Sequence, residues 1–96
     1  MMEKSYFVYI LSDKNNKKVY IGVTDDLKRR VYEHKLETMD GYTKRFHIHK
    51  LVYYEIYRDI LRAIAREKQL KKWTRVKKDA LVESKNPDMH DLWDKL

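Results

Sequence analysis

The chain has no cysteine, so neither a disulfide framework nor a thiolate metal centre is open to it. It has no apolar run long enough to cross a bilayer, and its first six residues lack the hydrophobic core of a signal peptide. Membrane insertion and secretion are therefore not expected, and a reducing cytoplasm is. Internal repeats, low-complexity tracts and linkers able to split the chain are also missing. With 96 residues, a single domain burying a modest core is expected.

Charge, by contrast, is abundant. Charged residues make up 39% of the chain and hydrophobic ones 43%, a balance that gives a globular core beneath a densely charged surface. The 22 Lys and Arg outnumber the 15 Asp and Glu, for a net charge of +7. That excess favours a polyanionic partner, nucleic acid first and an anionic membrane surface second. The eight tyrosines are the other compositional signal. A phenol can pack, stack on a base or carry a proton.

Residues 5–11 (SYFVYIL) are β-branched and aromatic and too short for a helix, which predicts a buried strand. A polar run, DKNNK at 13–17, supplies turn residues, and 18–22 (KVYIG) predicts a second strand and hence an antiparallel hairpin. Thr24 is expected to cap a helix over 25–37, with Asp25 and Asp26 in its first turn and Leu27 and Val31 on its buried face. Residues 38–49 show no period and are expected to be loop, and 50–56 (KLVYYEI) a third strand. Further helices are expected over 59–73, with Ile60, Ala63, Ile64 and Leu70 as the apolar stripe, and over 75–83, before Pro87 ends helical structure. The order β-β-α-β-α-α is an α+β layout, a small three-stranded antiparallel sheet flanked by helices. A domain over 1–84 is expected, with a tail over 85–96 that forms one more turn and docks through Leu92 and Trp93.

Several residues carry chemistry. Glu67 falls near the middle of the stripe expected to face the sheet, where a lone carboxylate needs a cation, a metal or water. It also stands four residues before Lys71, the spacing of a plain surface ion pair. Arg30 borders the Leu27–Val31 face while Arg29 points to solvent. Its guanidinium suits a phosphate, or else its stem covers core with the head in water. His34 on the same face is a core histidine, a proton carrier or a phosphate donor. Tyr9 and Tyr20 lie on paired strands, as filler or as chemistry. Gly22 permits either a close approach or a turn.

In register, these residues resemble the GIY-YIG nuclease domain from Tyr6 to about Lys78. The second half-motif is intact as Tyr20-Ile21-Gly22, running on to Arg30, and the first appears as Phe7-Val8-Tyr9, with Phe7 in place of the glycine. The chain looks closest to the small single-domain bacterial members, the YhbQ-like group, down to Asn86-Pro87 and Asp91-Leu92-Trp93 in the tail. No asparagine occurs between Glu67 and Asn86, where many family nucleases carry one, and no second domain for target recognition is expected.

The resemblance implies an endonuclease acting on structured or single-stranded DNA, with DNA ahead of RNA. It implies one Mg²⁺ held by Glu67 against the scissile phosphate, and Arg30 on a non-bridging oxygen. Tyr20 or Tyr9 would assist deprotonation of the attacking water, and His34 would orient or protonate. Lys44 and Arg45 in the loop, with Lys71, Lys72, Arg75, Lys77 and Lys78 on the last helices, either track the flanking backbone or form a solvated face. Two other readings stand beside it. One is a binding module that kept the fold without turnover, and the other a small basic protein that docks to a protein partner through its Trp93 tail.

Overall fold

The computed structural model describes residues 4–96. The first three residues, part of the stretch in which no signal-peptide core was expected and of the 1–84 span, lie outside the described residues. Strand β1 (Tyr6–Ser12) is central, with β2 (Val19–Thr24) and β3 (Lys50–Tyr57) antiparallel to it on either side, giving the order β2-β1-β3. The helices are α1 (Leu27–Lys35), α2 (Tyr42–Arg45), α3 (Ile60–Lys72) and α4 (Arg75–Glu83), followed by a 3-10 turn at Leu92–Lys95. The chain is thus α+β with the expected element order and one extra helical turn.

The alternation of β1 divides the core in two. Val8 and Ile10 face Ala63 and Leu70 of α3 and Val82 of α4. Tyr9 and Leu11 face Leu27 and Val31 of α1, with Ile48 and the tail residues Leu92 and Trp93. The pleat of β3 is interrupted by a bulge. Ile10 pairs with Tyr53 but Leu11 pairs with Leu51, so Val52 is the unpaired extra residue and joins Tyr53 on the α3–α4 side.

Four expectations are corrected. Thr24 does not cap α1; it extends β2, opposite Phe7, and its hydroxyl accepts from Asp26 N–H. Asp26 is the cap, its carboxylate accepting from Arg29 N–H at 3.2 Å, so the helix starts two residues late. It also stops early. Glu37 takes the left-handed conformation (φ 54°), with Glu37 N–H donating to His34 O and Thr38 N–H to Glu33 O, a Schellman ending. The 38–49 segment is not all loop, since α2 forms there after Gly41 (φ 108°) and Ile48 is fully buried. Finally Ile60, expected on the buried stripe, is 45% exposed, because the first turn of α3 overhangs the sheet beside Tyr6 and Val23.

The tail packs against α1 and β3. Trp93 stacks on Tyr32 at 6.2 Å, and Asp91 accepts from Leu51 N–H at 3.2 Å and from Lys35 Nζ at 2.6 Å. Asn86 is buried, with its Nδ2 donating to Val52 O and His90 O, which ties the start of the tail to β3.

Candidate active site

The hairpin register sets Tyr9 opposite Gly22. Tyr9 is 1% exposed and its ring lies across the glycine so closely that a Cβ built there would be 2.4 Å from Tyr9 Oη. The close approach at Gly22 is thus that of a side-chain ring, not of backbone or a ligand. Two residues along β2 and on the same face, Tyr20 comes beside Tyr9, with ring centroids 6.3 Å apart. His34, one turn beyond Arg30 on α1, completes a three-ring cluster at 5.9 Å from Tyr9 and 5.5 Å from Tyr20.

This cluster is hydrogen bonded through its middle. Tyr9 Oη and His34 Nε2 are 3.1 Å apart, and His34 Nδ1 lies 3.1 Å from Thr43 Oγ1 on α2. Burial drives the Tyr9 phenol far above its ordinary value, and the neighbouring Tyr20 adds to this. The Arg30 guanidinium acts against the rise, while the Glu67 and Glu33 carboxylates reinforce it. The acid of α3 and the guanidinium of α1 thus both act on one phenol. His34 is pushed the other way: burial first, then Arg30, hold its pKa below the ordinary imidazole value, against the pull of Glu33. At neutral pH the pair is a neutral phenol bonded to a neutral imidazole.

Arg30 is partly exposed, its Nε 3.4 Å from Glu33 Oε1, with Arg29 on the other carboxylate oxygen at 3.5 Å. Glu33 thus steadies the guanidinium along one edge. The Glu67 side chain is only 15% exposed, and Lys71 Nζ reaches its Oε2 at 3.2 Å. Glu67 is therefore mostly buried while still paired with Lys71 at i,i+4.

Among the described residues no group of three or more His, Asp or Glu side chains gathers to cage a metal. A single carboxylate still fits Mg²⁺, which keeps most of its waters and takes substrate phosphate oxygens rather than an all-protein shell.

The basic residues divide. Lys44 and Arg45 are exposed on α2, Lys44 3.8 Å from Asp40 and Arg45 over the Phe46 ring. Lys72 is exposed at the end of α3, and Lys77 lies over Trp73. Arg75 is placed differently. Its Nε donates to Asp79 Oδ1 at 2.8 Å and its two η nitrogens donate to the backbone carbonyls of Lys17 and Asn16. That guanidinium fastens α4 to the β1–β2 turn. Phe7, in the glycine position of the first half-motif, packs edge-on against Tyr54.

Two groups escaped the sequence reading. Thr43 sat in an apparently irregular polar stretch, and nothing in the spacing ties it to His34. The second was legible in principle. Tyr53, Glu55 and Tyr57 alternate by two and so share a face of β3. Both hydroxyls donate to the Glu55 carboxylate, at 2.5 and 2.7 Å, and Arg66 grips it with two bonds of 2.9 Å. This pair fixes α3 against β3 one residue before Glu67. A concavity of about 560 Å³ lies nearby, along β3 against Lys85, Asn86 and Leu92, away from the phenol cluster. Titratable groups line that concavity too, but Tyr53, Glu55 and Tyr57 are tied together with Arg66, whereas the phenol cluster holds the paired tyrosines and His34 within reach of the fields of Arg30 and Glu67.

Residues 5–79 match the family model described as the GIY-YIG catalytic domain. Similar proteins include a UPF0213 protein of Haloquadratum walsbyi, 34% identical over 82 residues covering 85% of this chain and 91% of its own. A UPF0213 protein of Staphylococcus aureus is 37% identical, covering 84% of this chain and 98% of its own. Among solved structures, the solution NMR structure of a UPF0213 protein from Bacillus halodurans superposes with a TM-score of 0.56 at 30% identity, covering 88% of each chain.

Proposed function

The chain belongs to the GIY-YIG family and to its UPF0213 group, and on that footing we propose that it is a Mg²⁺-dependent endonuclease that hydrolyses phosphodiester bonds in structured or single-stranded DNA. The observation that supports this reading is that the Arg30 guanidinium and the Glu67 carboxylate both act electrostatically on the buried Tyr9 phenol, which is itself bonded to His34.

Arg30 binds a non-bridging phosphate oxygen and stabilises the extra negative charge of the five-coordinate transition state. Glu67 would hold the metal ion, which when bound neutralises phosphate charge and assists the leaving oxygen. As the water oxygen bonds to phosphorus, its proton passes to Tyr9 Oη while the phenol proton passes to His34 Nε2. The phenol therefore never has to persist as phenolate, which its burial opposes. Tyr20, partly exposed beside the pair, orients the water. Lys44, Arg45, Lys71, Lys72 and Lys77 contact the flanking backbone. The working compartment is the cytoplasm.

The test is cleavage of branched, nicked and single-stranded DNA, with matched RNA, in the presence and absence of Mg²⁺. Wild type is expected to cut only with metal, and Glu67→Ala and Arg30→Ala to lose at least about 10²-fold in rate. One observation favours a second reading, a non-catalytic nucleic-acid-binding module: Lys71 already satisfies Glu67 without any metal. Salt-sensitive binding with no metal-dependent cutting of any substrate would decide for that module.

A further inference from the structure

A neutral imidazole has one donor nitrogen and one acceptor, so a ring bonded at both ends must choose a direction. His34 is such a ring, 3% exposed, with Tyr9 Oη at Nε2 and Thr43 Oγ1 at Nδ1. In one arrangement Tyr9 donates to Nε2 and Nδ1–H donates to Thr43. In the other, Thr43 donates to Nδ1 and Nε2–H donates to Tyr9. Only the first leaves a lone pair on Nε2 to receive the phenol proton.

We infer that Thr43 is a positioning residue that fixes His34 as the Nδ1–H tautomer, so that Nε2 stands as the acceptor for Tyr9. The role in turnover rests on the nuclease reading above; the tautomer itself does not. Acidity decides the direction. A phenol is a far stronger hydrogen-bond donor than an aliphatic hydroxyl, and a phenol proton orphaned at a residue 1% exposed is the costlier of the two. The Thr43 hydroxyl can instead rotate its own hydrogen away and present a lone pair to the ring.

The segment around Thr43 has the build of a support. Gly41 turns the chain into α2 at φ 108°, a conformation open to glycine, and Ile48 N–H donates to Thr43 O at 2.9 Å while the Ile48 side chain is fully buried. Thr43 is β-branched and 6% exposed, so its hydroxyl has few rotamers to choose from. The groups that bear on His34 are Arg30 and Glu33 of its own helix, His49 ahead of β3, Tyr9 of β1 and Tyr20 of β2. Of these Tyr9 alone is hydrogen bonded to Nε2, as Thr43 is to Nδ1.

The experiment is long-range ¹H–¹⁵N correlation of the His34 ring in the full chain without DNA, for wild type, Thr43→Ser and Thr43→Val. The first two are expected to carry the proton on Nδ1. Thr43→Val keeps the shape and removes the acceptor, so the Nε2–H form is expected to rise to a substantial share. With DNA and Mg²⁺, Thr43→Val is expected to lower kcat at least about tenfold with KM little changed, and Thr43→Ser to restore it, within the range a positioned base supplies. A bare Nδ1 in the wild type, or a tautomer unmoved by Thr43→Val, overturns the inference. Should the valine variant not fold, the ring spectra of wild type and Thr43→Ser still decide. Absence of cleavage throughout, with the Nδ1 proton in place, would overturn the nuclease reading and leave the tautomer standing.

Discussion

Replacing Gly22 by alanine isolates the contact on which the phenol cluster is built. In most strands a glycine is a weakness, and alanine gains about 0.5–1 kcal/mol by restricting the unfolded chain. Here the new methyl would meet Tyr9 Oη at 2.4 Å, Cζ at 2.5 Å and Cε1 at 2.9 Å. These atoms are the far end of a side chain, but one that is 1% exposed, bonded to His34 and flanked by the Tyr20 ring, so it cannot swing away cheaply. Overpacking of this kind costs about 1–3 kcal/mol.

In a Tyr9→Leu background the side chain lacks Cε1, Cζ and Oη, and the same Gly22→Ala change should become stabilising. The sign reversal amounts to a coupling of about 1.5–4 kcal/mol in a double-mutant cycle. Urea unfolding of the four proteins measures it, and thermal melts should show Gly22→Ala alone lowering Tm by roughly 5–20 °C. A Gly22→Ala variant as stable as wild type, or equal effects in both backgrounds, would refute the close approach.

Four further outcomes are expected. Burial raises the Glu55 pKa, but the bonds from Arg66, Tyr53 and Tyr57 outweigh it and leave the carboxyl below its ordinary 4.5. A depressed carboxylate stabilises fully above that value and loses its contribution as pH falls through the lower, folded pKa. Glu55→Gln should therefore cost about 2–3 kcal/mol near neutrality, short of a fully buried pair because Arg66 keeps some solvent. The gap to wild type in urea titrations should close on acidification, and a gap constant with pH would disprove the assignment. Lys72→Ala and Lys77→Ala should each lower the salt dependence of DNA binding by about one unit of log–log slope. Arg75→Ala should leave that slope alone and lower stability by about 2 kcal/mol, since it frees two loop carbonyls and Asp79. Glu67→Gln should change stability by less than about 1 kcal/mol, as expected of a pair whose lysine is half exposed, while abolishing metal-dependent cutting; a large loss of stability would mark Glu67 as chiefly structural.

Much of the fold was legible because its signals are local. The aromatic and β-branched runs marked all three strands, and the later helices expected over 59–73 and 75–83 form within a residue of those bounds. Failures came where a distant partner decided. Thr24 and Asp26 are both good caps, and the choice between them fell to the Thr24–Phe7 pairing in the sheet. Ile48 is one apolar residue in a polar stretch, and its burial depends on α1 and β3 closing over it. At the candidate site the residue types could be named from the sequence, but not the bonds between them. Which tyrosine meets His34 is set by hairpin register, and Arg75 looked like a phosphate ligand until Asn16 and Lys17 took it.

The bulge in β3 makes that strand unequal in its tolerance of length change. Val52 has no opposite number in β1, so its deletion would leave a void yet bring Leu51 next to Tyr53 with every remaining side chain on its original side. Loss of a single residue from the regular stretch beyond it, at Tyr54 for instance, would invert the remainder of the strand. Glu55 would then look toward α1, and Arg66 would face the sheet without its anion. Natural length variation in this strand should therefore concentrate at a single site.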